Sequence, residues 1–212
     1  MAHKIQSNQE ELANAITHGI GFLLALILVP VLITKASITS PGLIVIACAV
    51  FSFGFLMSYL SSTIYHLVQS PKAKKMLRVW DHISIFFLIG GTYTPVVCKY
   101  TDHNTAVIFL GIMWSLIIAG SVLKIFFTGR YDKLSTAIYV LLGWMVVFII
   151  KPIMAHMPLE VFWWILGGGI AYTIGVIFYK WHKLTFQHSI WHLFVLAGTL
   201  LQYVAVYKCV AP

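Results

Sequence analysis

Residues 105–127 read TAVIFLGIMWSLIIAGSVLKIFF and hold one charged side chain, Lys124, close to the end of the run. A helix of that length spans about 35 Å at ~1.5 Å per residue, enough to cross a hydrocarbon core of ~30 Å. Lipid offers the backbone no hydrogen-bond partner, so a run buried in it must satisfy its own amides, and a helix does so. The stretch is therefore a membrane-crossing helix. Runs of the same character lie on either side of it, at 17–34, 42–66, 80–98, 134–150, 158–179 and 188–207, with charged or turn-rich breaks between them.

Seven crossings fit the composition. Of 212 residues, 60% are apolar and 9% charged, whereas a soluble domain carries about 25% charged residues. Too little polar surface is available to cover a water-soluble globule. The expectation is an all-α membrane protein: a polar tail over 1–10, then one seven-helix transmembrane domain over 11–212. The first apolar run follows a polar segment with Glu10, Glu11 and Asn14, and no clear cleavage site follows it. It is a retained span rather than a signal peptide. Glycines at 90–91, 143 and 167–169 are candidates for close helix contact. Trp80, Trp181, Trp191 and the stretch 161–164 lie near span ends, as an aromatic belt does.

The formal charge is +8, and no nucleic-acid-binding motif accompanies it. The basic residues sit in short loops between apolar runs, which points to anionic lipid head groups as partners and not to nucleic acid. One set of loops and ends holds Lys4, Lys72, Lys74, Lys75, Arg78, Lys124, Arg130, Lys133, Lys180 and Lys183; the other holds Lys35, Lys99, Lys151 and Lys208. The bias places the N-terminus in the cytoplasm and the C-terminus outside. The oligomeric state is left open. No CxxC occurs, so a thiolate metal site is not expected. Cys98 and Cys209 fall near one membrane face and are a candidate pair.

Ionisable residues inside spans are costly and therefore informative. His66 ends the second span, Asp81 begins the third, and His188 and His192 begin the seventh, all at one membrane depth. His188 and His192 are four apart, which stacks both imidazoles on one helix face and lets two nitrogens reach one metal. Ser62 and His66 share that spacing. Three histidines with an open fourth position form the catalytic rather than the structural pattern of zinc, and Asp81 would bond the water or an imidazole. Plainer readings stand beside these. Ser62 could bond its own helix backbone, and Asp81 could pair with Arg78 or Lys75. His82 points to another face than Asp81, and His3, His103, His156 and His182 lie in a tail or loops. Glu11, Asn14 and His18 form one helical stripe, either an amphipathic helix entry or a support beneath the metal.

The motifs resemble a known family. Glu11-Leu-Ala-Asn14-Ala-Ile-Thr17-His18, Ser62-Thr-Ile-Tyr-His66, Trp80-Asp81-His82, Gly90-Gly-Thr-Tyr-Thr-Pro95 and His188-Ser-Ile-Trp-His192 occur in the order and on the spans found in the hemolysin III family, the bacterial branch of the progestin and adipoQ receptor superfamily. The resemblance runs from about Glu11 to Tyr207. It implies a seven-helix bundle in the bacterial plasma membrane. It implies one zinc ion held by His66, His188 and His192, with Asp81 contacting the water on the zinc and Ser62 nearby. In the adiponectin receptors of the superfamily such a site is linked to hydrolysis of ceramide-type amides. The first expectation is thus a zinc-dependent hydrolase of a lipid amide or ester. The alternative is a hemolysin-like pore or a regulator of membrane fluidity or energetics with structural zinc. A lipid receptor ranks last, since the short loops leave little to engage a partner.

Overall fold

A computed structural model describes residues 6–210. The elements are α1 (Asn8–Thr39), α2 (Gly42–Leu67), α3 (Pro71–Tyr100), α4 (His103–Phe127), α5 (Asp132–Gly143), α6 (Ile150–Met154), α7 (Leu159–Lys180) and α8 (Gln187–Val210). A 3₁₀ segment, Met145–Ile149, joins α5 to α6, and the three pieces together make the fifth crossing, Asp132–Met154. Seven helical spans are long and apolar enough to cross a membrane. Their outer faces carry exposed Leu23, Ile27, Ile46, Phe126 and Phe148, the surface a bilayer demands.

Two helices begin well before their hydropathy rises. Ser7 caps α1: the Glu10 N–H donates to Ser7 Oγ at 3.2 Å, and the Ser7 N–H donates to Glu10 Oε2 at 2.9 Å. This reciprocal box satisfies two otherwise orphaned donors, so the helix starts at Asn8 and takes in the polar stripe of Glu11, Asn14 and His18. In α3, Pro71 sits in the first turn, where its missing N–H costs nothing, and the helix runs from there through Asp81.

Packing rests on glycine. A Cβ built on Gly54 of α2 would lie 2.5 Å from the Phe87 carbonyl oxygen of α3, and one on Gly91 of α3 would lie 3.0 Å from Phe51 Cα. The backbones of α2 and α3 therefore touch, as small residues permit in a membrane where lipid tails compete for every apolar face. The α7–α8 seam repeats the device: a Cβ built on Gly168 would lie 3.0 Å from the Gly198 carbonyl oxygen. Gly143, also expected at a contact, faces open space.

The fifth crossing departs from the continuous helix expected over 134–150. It breaks after Gly143, and the Tyr93 hydroxyl bridges the gap: it donates to the Gly143 carbonyl at 2.6 Å and accepts the Val146 N–H at 3.1 Å. Broken helices are tolerated at membrane depth where protein groups satisfy the freed backbone. The apolar run gives no sign of the break, because the partner lies fifty residues away on α3. The candidate Cys98–Cys209 pair does not form. Cys48, Cys98 and Cys209 are all free, and the Cys209 thiol donates to the Ala205 carbonyl at 3.3 Å.

Candidate metal centre

The end of α2 and the starts of α1 and α8 meet at one end of the bundle. His66 lies in the last turn of α2, while His188 and His192 occupy the first turns of α8. Each of the three offers a nitrogen, and these nitrogens all lie within 4.8 Å of one another, a grouping able to hold a metal ion. The ring centroids are 5.2 Å apart for His66–His188 and His66–His192, and 4.5 Å for His188–His192.

Two of the rings are held so that one nitrogen is left for a ligand. His66 Nδ1 lies 2.7 Å from Glu11 Oε2, and Glu11 Oε1 pairs with Lys74 Nζ at 2.8 Å. A carboxylate so paired only accepts, so Nδ1 carries the proton and Nε2 presents its lone pair. That Nε2 is buried and has no hydrogen-bond partner. His192 Nδ1 lies 3.2 Å from the Asn14 carbonyl oxygen and 3.1 Å from Thr17 Oγ1, and the Thr17 hydroxyl itself donates to Asn14 O at 2.9 Å. A carbonyl can only accept, which assigns the proton to Nδ1 here too and frees Nε2. An orphaned, buried, unprotonated imidazole nitrogen is what a cation-binding site requires. The donor set fits a borderline-soft divalent ion.

Asp81 and Ser62 line the same cavity as His18, His188 and His192. The Ser62 hydroxyl is buried with no partner, so it does not bond its own helix. Arg78, one suggested partner of Asp81, donates to Asp132 at 3.1 Å. Beyond Asp81 the cavity passes apolar walls such as Leu88, Val96, Ile153 and Phe162 between α3, the fifth crossing, α7 and α8.

The stripe on α1 thus meets the histidines rather than water. Glu11 and Asn14 support His66 and His192 from behind. Asn14 is itself fixed: its Oδ1 accepts from Ser189 Oγ at 2.6 Å, and its Nδ2 donates to Gln6 Oε1 at 2.7 Å. His18 stacks on His192 with centroids 3.5 Å apart and planes at 22°. Both its ring nitrogens are buried without a partner. His82 stands apart from the three, its Nδ1 3.1 Å from Lys124 Nζ. His103, His156 and His182 are exposed, and His3 lies outside the described residues.

Sequence reasoning missed two supports. Thr17 was legible only as part of a motif. Glu10 does more than cap α1, since its Oε1 also accepts the Phe186 N–H at 3.3 Å. Phe186 has φ 57°, a conformation unusual for a bulky residue. This contact fixes the residue before α8, and so the depth at which His188 and His192 begin.

A family model described as "Haemolysin-III related" matches residues 6–203. The chain is 40% identical to "Hemolysin-3" of Bacillus cereus over 212 residues, covering 100% of this chain and 97% of that protein. It is 40% identical to "Hemolysin-3 homolog" of Bacillus subtilis (strain 168) over 203 residues, 95% of each. At greater distance it is 23% identical to human "Monocyte to macrophage differentiation factor" over 208 residues, 94% of this chain and 84% of that one.

Proposed function

The chain belongs to the haemolysin III-related family of multi-pass cell-membrane proteins, and we propose that it is a zinc-dependent hydrolase of a lipid amide or ester. The observation that carries this reading is the pair of fixed imidazoles, His66 and His192, converging with His188 beside an unpartnered serine hydroxyl and a carboxylate at the head of an apolar cavity. Zinc held by His66, His188 and His192 would supply Lewis acidity and bring water towards ionisation near neutral pH.

The chain's own groups divide the remaining work. Asp81 orients the attacking water and takes its proton. Ser62, with its hydroxyl uncommitted, donates to the oxygen on which charge develops. Glu11 and the Asn14 carbonyl keep His66 and His192 in one tautomer and one orientation. The apolar walls beyond receive the acyl chain and exclude water from it. The surplus of Lys and Arg around this end of the bundle supports placing it at the cytoplasmic surface.

Metal analysis of the purified protein should find about one zinc per chain, and His66→Ala should lose it. Asp81→Ala should keep the zinc and lose about 10²–10⁴-fold in turnover. Zinc-loaded protein that leaves a broad panel of lipid amides and esters intact would remove the hydrolytic reading. The pore alternative has less support here, because a water-filled conduit needs polar residues along its length and this cavity's walls are mainly apolar away from the histidines. Dye release from liposomes carrying the protein would restore that alternative.

A further inference from the structure

The cavity contains a second polar group that hydrolysis as described does not use. Next to Asp81, His82 of α3 faces Lys124 of α4, with Lys124 Nζ 3.1 Å from His82 Nδ1. Lys124 is only 4% exposed and lies over the Tyr139 ring at 5.9 Å. Its hydrogen-bond partner among the described residues is an imidazole, not a carboxylate. An ammonium has three donors, and a buried charge is costly unless an opposite charge meets it. Asp132 pairs through Oδ2 with Arg78 at 3.1 Å and is also close enough to act electrostatically on Lys124 and Lys180, so one carboxylate serves three cations. Across the same space, Lys180 Nζ of α7 donates to Thr136 Oγ1 of α5 at 3.0 Å. His82, Lys124, Asp132, Ser135 and Thr136 all line the cavity that also holds Asp81 and the three-histidine end. Three cationic side chains, Arg78, Lys124 and Lys180, thus share this corner with Asp132, and Asp81 lies in the same cavity; the Thr136 and Ser135 hydroxyls donate to the Asp132 and Tyr131 carbonyls at 2.7 and 3.1 Å.

We propose that Lys124, with Lys180, binds the phosphate of an amphiphile whose acyl chain lies in the same cavity. Phosphate suits the corner because it accepts from several donors at once, and lysine is a common phosphate partner as a point charge. A neutral amide lipid offers Lys124 hydrogen-bond acceptors but no negative charge. A phosphoglyceride carries its phosphate only a few bonds from its acyl ester, and here Lys124 and Asp81 line one cavity. The chain's placement rests on the lipid-hydrolase reading above, whereas the phosphate site itself does not.

Binding decides the matter without turnover. The full chain, purified in a neutral detergent with and without zinc, is titrated with palmitoyl-lysophosphatidylglycerol, monopalmitoylglycerol, palmitate and inorganic phosphate. Trp144 and Trp191, which line the cavity, report binding by fluorescence. The expected result is about tenfold tighter binding of the lysophospholipid than of the monoacylglycerol, the size of one charge-assisted contact. Lys124→Gln should abolish that preference and leave monoacylglycerol binding as it was, Lys180→Gln should reduce it, and Lys124→Arg should preserve it. Competition by inorganic phosphate at matching concentration also supports the site and assigns it to the free anion, while competition by lysophospholipid alone assigns it to a head group. A wild-type protein without the preference overturns the proposal. So does a preference that survives both glutamine variants, or palmitate bound as tightly with the same lysine dependence. Loss of hydrolysis with the preference intact would sink the enzyme reading and leave the phosphate site standing.

Discussion

The two flanks of the cavity are built differently. On one flank, α2 and α3 press backbone to backbone through Gly54 and Gly91, and α1 and α8 are tied to each other by Asn14, Ser189 and His192. On the other, the fifth crossing is cut into α5, a 3₁₀ segment and α6, with a tyrosine hydroxyl closing the break. Histidines, aspartate and serine all sit on the tightly packed flank. A metal site needs its donors held to within fractions of an ångström by packing and by hydrogen bonds from behind, and glycine-mediated contact supplies the first of these. The looser flank contributes none of the three histidines that form the candidate metal centre. Its interrupted backbone instead borders the apolar part of the cavity, where shape matters more than exact position.

Substitutions can test that contrast. The largest effect should come from Gly54→Ala. Its new methyl meets the Phe87 carbonyl, which belongs to backbone and cannot swing away, so α2 and α3 must part; a loss of about 3 kcal/mol is expected, read as reduced thermal stability in detergent. If the variant were as stable as the parent, the seam would not be the rigid element described. Next comes Glu11→Gln, which keeps the shape of the group behind His66 but removes its charge. Metal affinity should fall about 10- to 100-fold with the fold intact, measured by competition with a chelator; unchanged affinity would reduce Glu11 to a surface partner of Lys74. On the looser flank, Tyr93→Phe should cost only about 1 kcal/mol, because two backbone groups lose one shared partner, with metal content unaltered. Smallest of all, Gly143→Ala meets no atom within 4 Å and should be neutral or stabilising by up to about 1 kcal/mol through helix propensity. Destabilisation there would show that the break needs glycine itself.

Legibility in the sequence follows the same division. The spans could be read because each is apolar over a length set by the bilayer, a local property. His188 and His192 could be read as a pair because a helix turn places them together. His66 and Asp81 were aligned with them by depth alone, since every crossing starts and ends at the same two surfaces. The stripe of Glu11, Asn14 and His18 was visible as a stripe, but whether it faced water or the histidines depended on how α1 packs against α2 and α8. The break in the fifth crossing was invisible, because its satisfying group comes from Tyr93 on another helix. Cys98 and Cys209 were brought to one face by topology, yet shared depth is no guarantee of the separation and orientation a disulfide needs.

By itself, then, the chain's order of residues determined the seven helices, the membrane they cross and the end at which the ionisable groups gather, because lipid imposes helix and depth on any apolar run long enough to span it. Only the tertiary structure decided which nitrogen of His66 and His192 is left uncommitted, that Lys124 lies buried beside the same cavity, and which flank is rigid. Those outcomes depend on rotations of one helix about its axis against another, and these are settled by packing among distant residues.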